Sequence, residues 1–258
     1  MAIHPTAIVD SDSEISTSAE IGPYCIIGKG VTIGARTRLI AHVYLEGKLA
    51  IGEDNVFYPY CSCGVTPQDK KYKGEASETR VGNRNTIREF VTINRGTEGG
   101  GMLTAIGDDN LLMAYVHVAH DVIIKNHAIL ANGVTFAGHV IVEDYANIGG
   151  LSAIHQFCRI GRHAMIGSYS VIKQNVLPYS ITASNHQVEA YGANRIGLER
   201  NGCSSDAIEA LQTAFRILTR AGLNTSQALA RIEEEVPPIA EVTHLLEFIR
   251  GSQRGFIK

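Results

Sequence analysis

An apolar residue returns at every sixth position along most of this chain. From the N-terminal end, the step of six reaches Ile3, Val9, Ile15, Ile21, Ile27, Ile33, Leu39, Leu45, Ile51, Phe57 and Cys63. After two interruptions, the step reaches Ile106, Leu112, Val118, Ile124, Leu130, Phe136, Val142, Ile148, Ile154, Ile160, Ile166 and Ile172. A period of six fits neither an amphipathic helix nor a strand that alternates its two faces. It is typical of a hexapeptide β-helix in which three hexads close one triangular coil, so that residues 18 apart in the sequence stack about 4.8 Å from each other.

Small and amide residues occur where such a coil would turn. Glycine often follows the apolar position, and it adopts the positive φ that tight corners require. Asparagine tolerates the same conformation better than most residues do. Candidates for left-handed corners are therefore Gly22, Gly34, Gly52, Asn55, Asn83, Asn85 and Asn110.

Two polar segments interrupt the repeat. Residues 64–80 contain no hexad, and the frame returns at Val81. Residues 94–105 form a second excursion, which shifts the frame by one position before Ile106. A solenoid can eject a loop from a corner at little cost to its core, and such loops often build functional sites. The alternative is that both segments are merely tolerated insertions.

The two predicted loops carry different chemistry. In the first, Asp69 can bind a sugar hydroxyl, and Lys71 can bind an anion or an oxyanion. The second contains Gly99-Gly100-Gly101, which is weak support for phosphate binding because no Lys-Ser or Lys-Thr follows the glycines.

The repeat ends near Pro178, and the pattern changes after it. Residues 179–187 look like a linker, and a helical pattern begins near Val188. The sequence therefore predicts a solenoid over residues 1–187 and a C-terminal helical domain over residues 188–258.

Several helices are predicted in this C-terminal domain. A short one covers about 190–201, and Ser204 or Ser205 caps the next. Asn224 with Gln227 resembles a capping box for a third helix, and a fourth follows it. About seventy helical residues can bury only a small apolar core by themselves. We therefore expect these helices to pack on the solenoid or on its copies in an oligomer.

Composition narrows the class of protein. The net charge of −3 over 258 residues argues against a nucleic-acid partner. No segment is long and apolar enough to insert into a membrane, and no basic segment followed by an apolar run indicates a signal peptide. The five cysteines form no Cys-x-x-Cys pair, and Cys63 occupies a core position of the repeat. We therefore expect a cytoplasmic enzyme in a reducing compartment.

The coil geometry brings one group of polar residues together. His120 stands two residues after the inward Val118, Gly138 lies 18 residues further on, and Gln156 lies 18 beyond that. These three residues should form one column, about 4.8 Å apart at each step, with His139 and His155 beside it. A base, a backbone without a side chain and an amide in one place indicate a site.

The residue types in this column suggest acid–base chemistry. Asp121 follows His120 directly and can orient the imidazole and stabilise its charged form. Gly138 can direct its N–H group towards a developing oxyanion. Two alternatives remain on these residues alone, since clustered histidines also hold zinc in hydratases and any one histidine can simply lie on a solenoid surface.

Six further segments have a distinctive sequence, and they lie at residues 67–72, 87–97, 117–121, 130–132, 137–140 and 154–158. These segments resemble the UDP-N-acetylglucosamine acyltransferases, a family that begins lipid A synthesis. The resemblance covers essentially the whole chain. It implies a mainly β protein, a left-handed parallel β-helix with a C-terminal helical domain, that assembles as a homotrimer with active sites between neighbouring subunits. It implies no cofactor and no metal.

The same resemblance implies a role for each matching residue. His120 matches the general base that deprotonates the sugar 3-hydroxyl, Asp121 its supporting acid, and Gly138 the N–H donor to the thioester oxyanion. Positions that bind sugar, nucleotide or acyl chain are matched by Asp69, Lys71, His117, His139, His155 and Gln156. Asn194 and Arg200 match contacts to the nucleotide and the acyl donor. Ser168 matches the position that measures acyl-chain length, and Met165 lies close to it in sequence.

The chain departs from the family pattern at two positions. Many relatives carry an acid where Ile196 stands and an arginine where Asn201 stands, which affects the uridine contacts. Some similar enzymes use a sugar with a 3-amino group, and some of these lack that acid, so the amino analogue is an alternative acceptor. The donor, acyl carrier protein, is acidic, which makes Arg216 and Arg220 candidate docking residues. A trimeric zinc hydratase of the γ-carbonic anhydrase type and a non-catalytic scaffold are the alternatives from other functional classes.

Overall fold

The hexapeptide repeat folds into a β-helix with three flat sides. A computed structural model describes residues 2–184 and 187–258. Each hexad contributes one short strand, and strands 18 residues apart pair in parallel, as Val118 does with Phe136 and Phe136 with Ile154. The predicted stacking of successive coils is therefore confirmed.

The three sides are three β-sheets, here called sheets 1, 2 and 3 and given for the described residues alone. Sheet 1 consists of Ala2–Ile3, Glu20–Ile21, Arg38–Leu39, Val56–Phe57, Thr86–Ile87, Leu111–Leu112, Ile129–Leu130, Asn147–Ile148, Met165–Ile166, Ser180–Ser184 and Val188–Ala193. Sheet 2 consists of Ile8–Val9, Ile26–Ile27, Tyr44–Leu45, Ser62–Val65, Thr92–Asn94, His117–Val118, Thr135–Phe136, Ala153–Ile154 and Val171–Ile172. Sheet 3 consists of Glu14–Ile15, Val31–Ile33, Lys48–Ile51, Glu78–Val81, Leu103–Ile106, Ile123–Ile124, Ile141–Val142 and Arg159–Ile160.

The interior is a narrow apolar prism. The second residue of almost every strand points inward, and from Ile21 to Ile172 all the repeat positions are buried. Cys63 is one of them and is fully buried, as its place in the repeat predicted. Each added coil therefore removes several more aliphatic side chains from water, which is the main source of stability in such a fold.

The corners are built differently from the prediction. Left-handed φ angles are found at large residues, among them Tyr24 (57°), His42 (53°) and Tyr60 (66°). Asn55, Asn85 and Asn110 are instead buried, and the side-chain oxygen of each accepts a hydrogen bond from the backbone N–H of the next coil. Their amides satisfy backbone groups inside the prism, so their placement at left-handed corners was wrong.

The glycines after the apolar positions have a different purpose from the one predicted. Gly22 has no positive φ, but a Cβ there would lie 1.9 Å from the carbonyl oxygen of Ile40 on the next coil. Glycine is required at this position because neighbouring coils touch there.

Both interruptions leave the β-helix at the corner between sheets 2 and 3. Val81 pairs with Ile51 on one side and with Ile106 on the other, which confirms the predicted shift of the frame by one position. The loops themselves span 66–77 and 95–102, and the second contains a short 3₁₀ helix at Glu98–Gly100.

The junction with the C-terminal domain contains strands that the sequence analysis missed. Ser180–Ser184 continues sheet 1 by pairing with Met165–Ile166, and Val188–Ala193 pairs with it in antiparallel fashion. The linker predicted over 179–187 is therefore wrong in its described part, and residues 185–186 lie outside the described residues. The first helix is correspondingly shorter than predicted.

Four helices follow within the described residues: Arg195–Arg200, Ser205–Arg220, Thr225–Glu235 and Ala240–Arg250. The predicted caps are confirmed, because Ser204 accepts a hydrogen bond from the backbone of Ala207, and Asn224 and Gln227 form a reciprocal capping box. None of these helices is long and apolar enough to cross a membrane.

The helical domain packs on the end of the solenoid, as its size predicted. Glu143 of the solenoid, whose side chain is 4% exposed, lies 3.0 Å from His244 Nε2 of the last helix and 2.8 Å from Arg159 Nη2. Burial alone raises the pKa of Glu143, but hydrogen bonds from His244 and Arg159 overcome it and hold that pKa at about 2. The guanidinium of Arg159 also stacks on Phe248 at 4.4 Å.

We expect Glu143→Ala to lower the free energy of unfolding by about 3–5 kcal/mol, since it leaves the Arg159 guanidinium and the His244 imidazole without the buried carboxylate that they contact. The exposed pair between Glu233 and Arg250 is the matched control, and Glu233→Ala should cost less than about 1 kcal/mol. Because the pKa of Glu143 lies below its ordinary value of 4.5, its contribution is complete above that pH and declines towards pH 2. Urea unfolding at several pH values should therefore show the difference between parent and Glu143→Ala shrinking on acidification, and a constant difference would contradict this account.

Candidate active site

The predicted column of His120, Gly138 and Gln156 lies at the corner between sheets 2 and 3. The carbonyl of His120 accepts a hydrogen bond from the N–H of His139 at 3.1 Å, and the carbonyl of Gly138 accepts one from Phe157 at 3.2 Å. These contacts stack the three corners directly on one another. The repeat thus places the column at the same corner from which both loops leave.

His120 and Asp121 form a close pair although they are neighbours in sequence. Asp121 has a left-handed φ of 61°, which turns the chain so that both side chains lie on the same side of the corner. His120 Nδ1 is 2.8 Å from Asp121 Oδ2, and the Asp121 side chain is 1% exposed. With Nδ1 facing the carboxylate, Nε2 is the nitrogen left to accept a proton.

Gly138 has no room for a side chain. A Cβ at this position would lie 2.5 Å from Cε1 and 2.8 Å from Nε2 of His120, so the imidazole occupies the space above the glycine. Among the hydrogen bonds of the described residues, none uses the Gly138 N–H group. The Gly138 N–H is therefore free beside the His120 imidazole, an arrangement that could stabilise an oxyanion next to a base.

An open groove of about 500 Å³ runs along sheet 2 beside this pair, and we call it the His120 groove. Its wall carries apolar groups from Ala119 to Ile172, interrupted by a few polar ones. The polar side chains along it are Gln68, His117, His120, Thr135, His155, Gln156 and Lys173. A long, largely apolar channel with a base at one end suits an acyl chain better than a small polar substrate.

The remaining predicted histidines lie around the pair. His139 Nδ1 is 3.8 Å from Asp121 Oδ2, and its ring meets that of His120 edge-on at 5.1 Å. Burial lowers the pKa of His139, although the nearby carboxylates of Asp121 and Asp69 act to raise it. Burial also lowers the pKa of His117. His117 Nδ1 lies 2.7 Å from the hydroxyl oxygen of Thr92. Both imidazoles are therefore favoured in the neutral form.

The first loop reaches the groove with one residue that the sequence analysis did not single out. Gln68 lines the groove, and the carboxylate of Asp69 is close enough to raise the pKa of His139 against the effect of burial. Lys71 is exposed, and its backbone N–H donates to Asp69 Oδ1 at 2.9 Å. Arg254, near the C-terminus, was also missed and lies 3.3 Å from His155 Nδ1.

Four predicted residues are not brought to the His120 groove of the same chain. Asn194 caps the first helix, and its Nδ2 donates to the carbonyl of His163 at the corner between sheets 3 and 1. Arg200 ends that helix and is exposed. Met165 belongs to sheet 1, and Ser168 is exposed at the corner between sheets 1 and 2.

A metal site is the alternative use of this cluster. Of the described residues, His120, Asp121 and His139 place one potential ligand atom each within 4.8 Å of the others. A hydratase of the carbonic anhydrase type uses three histidines, whereas here the third ligand is a carboxylate. Its Oδ2 already faces His120 and also accepts a hydrogen bond from Thr97, and a metal would displace both. The donor set fits a histidine–carboxylate pair better than a zinc site.

Both the solenoid and the C-terminal domain of this chain match known protein families. Residues 175–257 match the family described as "Udp N-acetylglucosamine O-acyltransferase; Domain 2", and residues 104–138 match "Bacterial transferase hexapeptide (six repeats)". The acyl-(acyl-carrier-protein)–UDP-N-acetylglucosamine O-acyltransferase of Thermodesulfovibrio yellowstonii is 50% identical over 256 residues, which cover 99% of each chain. The chain belongs to the UDP-N-acetylglucosamine acyltransferase family.

Solved structures of UDP-N-acetylglucosamine acyltransferases share the whole fold. LpxA from Acinetobacter baumannii is 42% identical, with both chains fully covered and a TM-score of 0.96. The Arabidopsis UDP-N-acetylglucosamine acyltransferase is 32% identical, with 99% of this chain and 100% of that chain covered and a TM-score of 0.86. The predicted family and the predicted fold class are both confirmed.

Proposed function

We propose that this protein transfers a 3-hydroxyacyl chain from acyl carrier protein to the 3-oxygen of UDP-N-acetylglucosamine, the first step of lipid A synthesis. The observation that carries the proposal is the His120–Asp121 pair, 2.8 Å apart, beside the free N–H of Gly138. The family's full-length relatives bear the name of this activity, and the apolar His120 groove suits the donor's chain.

In the proposed mechanism, His120 Nε2 takes the proton of the sugar 3-hydroxyl while the oxygen attacks the thioester carbonyl. Asp121 stabilises the resulting imidazolium through Nδ1, and the Gly138 N–H donates to the oxyanion. When the intermediate collapses, the new C–O bond remains, the C–S bond breaks, and the imidazolium returns its proton to the leaving thiolate. General-base catalysis and oxyanion stabilisation each typically contribute about two to four orders of magnitude in rate.

The other proposed contacts divide between two subunits. Asp69, His117, His139, His155 and Gln156 lie at or beside the His120 groove of one chain and would bind sugar, nucleotide or acyl chain. Lys71 would join them from the exposed end of the first loop.

A homotrimer supplies the rest. Asn194, Arg200 and Ser168 lie away from the groove of their own chain, at other corners of the prism or in the helical domain. Packing of neighbouring subunits side by side would bring them to the next subunit's groove. A complete site between subunits therefore explains why one chain alone does not assemble all the predicted residues.

An acyl-transfer assay tests the proposal. Purified protein is given a panel of 3-hydroxyacyl carrier proteins with either UDP-N-acetylglucosamine or its 3-amino analogue, in equal amounts. We expect transfer to the hydroxyl sugar, and the absence of transfer to both acceptors would contradict the proposed function. The amino analogue is the second candidate because Ile196, 60% exposed on the first helix, puts an apolar side chain where many relatives carry an acid. Exclusive use of the hydroxyl sugar would rule that candidate out.

We expect Ser168→Gly to shift the preferred acyl chain towards greater length. Ser168 lies two and two-thirds coils beyond His120, an axial offset of about 13 Å, and its hydroxymethyl group would limit a chain of medium length. Met165 lies three residues earlier and is flexible enough to adapt to a longer chain. Parent and variant are compared by competition among donors of different lengths, with Ser11→Gly, an exposed turn serine near the other end, as the control. Identical rankings in parent and Ser168→Gly would show that Ser168 does not measure the chain.

A further inference from the structure

The second loop packs on the carboxylate of Asp121 and not on a phosphate site. The backbone N–H of Thr97 donates to Asp121 Oδ1 at 2.8 Å, and the Thr97 hydroxyl donates to Oδ2 at 2.5 Å. Thr97 is itself 6% exposed. One residue of the loop therefore binds both oxygens of the buried carboxylate.

The rest of the loop closes around this contact. A Cβ on Gly100 would lie 2.0 Å from Asp121 Cγ, so the glycine lets the loop backbone rest against the carboxylate. The N–H groups of Gly100 and Met102 both donate to the carbonyl of Thr97, at 3.1 and 2.9 Å, which holds the loop in this shape. The Thr104 hydroxyl, fully buried, accepts the backbone N–H of Asp121 at 2.8 Å.

The Asp121 carboxylate lies close to two histidines, His120 and His139. Its Oδ2 lies 2.8 Å from His120 Nδ1 and 3.8 Å from His139 Nδ1, and the charge of Asp69 also acts on His139. A small rotation of the carboxylate would bring it towards His139 and away from His120. The two hydrogen bonds from Thr97 oppose that rotation because they fix both oxygens at once.

We infer that Thr97 is a positioning residue for the base, holding the Asp121 carboxylate against His120 Nδ1 in preference to His139. Gly100 shares the task by allowing the loop to approach. The inference rests on the proposed function in that it takes His120 as the base. It gives the second loop a place in the reaction that the glycine pattern alone did not suggest.

Matched variants of the full-length protein test the inference. Thr97→Val removes the hydroxyl and keeps the shape, and we expect kcat to fall about 10- to 100-fold with KM for the sugar nucleotide nearly unchanged. Thr97→Ser keeps the hydroxyl and should retain most of kcat. Gly100→Ala should resemble Thr97→Val, whereas Gly99→Ala, where a Cβ would meet nothing within 4 Å, should resemble the parent.

The pH profile adds a readout that a purely structural role would not change. Without the Thr97 hydroxyl, the carboxylate can turn from His120 Nδ1 towards His139, and the imidazolium of His120 loses part of its stabilisation. The acid limb of kcat/KM should therefore move to lower pH in Thr97→Val and stay in place in Thr97→Ser. Full kcat in Thr97→Val, or equal losses in Thr97→Val and Thr97→Ser, would overturn the inference.

A measurement without substrate tests the role of Thr97 independently of the proposed acyl-transfer activity. Nitrogen-15 NMR of labelled histidines reports the tautomer of His120 in the protein without substrate. The parent should hold its proton on Nδ1, and Thr97→Val should show a mixture of tautomers. An unchanged tautomer would overturn the role of Thr97 even if acyl transfer is found, and a changed one would support it even if the substrate proves to be different.

Discussion

We expect His120→Ala to reduce turnover by at least about two orders of magnitude, because it removes the proposed base that takes the proton of the attacking hydroxyl. The fold should survive, since the imidazole lies on the outer side of a corner and contributes nothing to the apolar interior. Steady-state acyl transfer and the melting temperature measure the two effects separately.

A corner histidine outside the site provides the control. His127 is 41% exposed at the corner between sheets 3 and 1, where it stacks on Tyr145 at 4.5 Å. His127→Ala should keep nearly full turnover. Near-normal turnover in His120→Ala would end the assignment of the base.

We expect Gly138→Ala to be almost as damaging, although it removes no functional group. The added methyl would lie 2.5 Å from His120 Cε1 and 2.8 Å from Nε2, so the imidazole must move. A displacement of about an ångström in a catalytic group can cost about 100-fold in rate, and it would also lengthen the contact with Asp121. Turnover is compared with that of Gly99→Ala, where the same substitution meets open space.

For Gly138→Ala, kcat and the affinity for the sugar nucleotide should be measured separately. If the ring is displaced, kcat should fall while the affinity for the sugar nucleotide changes little. An alanine variant with full kcat would mean that the imidazole does not have to occupy the space above Gly138 for catalysis.

The coil register and the column at the candidate active site could be predicted from the sequence because one number, the period of six, determines both. Once Val118, Phe136 and Ile154 are recognised as stacked core positions, the residues two places later must stack as well. The helix caps at Ser204 and Asn224 were predictable for a similar reason, since a cap depends only on residues within one turn.

Features that depend on contacts between distant segments could not be predicted in this way. Asparagine is a residue type that often occurs at left-handed corners, but Asn85 instead joins a row of hydrogen-bonded amides. Its partners are Asn55, 30 positions before it, and Asn110, 25 positions after it. The strand at Val188–Ala193 depends on its partner at Ser180–Ser184, and neither has the hexad pattern. Nothing in the sequence of the glycine-rich loop indicates that it rests on Asp121.

The site residues missed in the sequence share this origin. Gln68 reaches the His120 groove because its loop folds back over the corner. Arg254 reaches His155 because the C-terminal residues return to the solenoid, where Phe256 pairs with Asn175. Charge or residue type alone gave no signal for either of them. To predict the contact of Arg254 with His155, one would need to know that the C-terminal residues pair with the last coil.

The most direct test of the central claim is to identify the product. Purified protein is incubated with a 3-hydroxyacyl carrier protein and UDP-N-acetylglucosamine, and the free thiol, the free fatty acid and the acylated sugar nucleotide are quantified together. A site with His120 as base and Gly138 as oxyanion donor predicts one acyl ester on the 3-oxygen of the sugar for each thiol released. Thiol release that yields free fatty acid, or that proceeds equally well without the sugar nucleotide, would contradict the account.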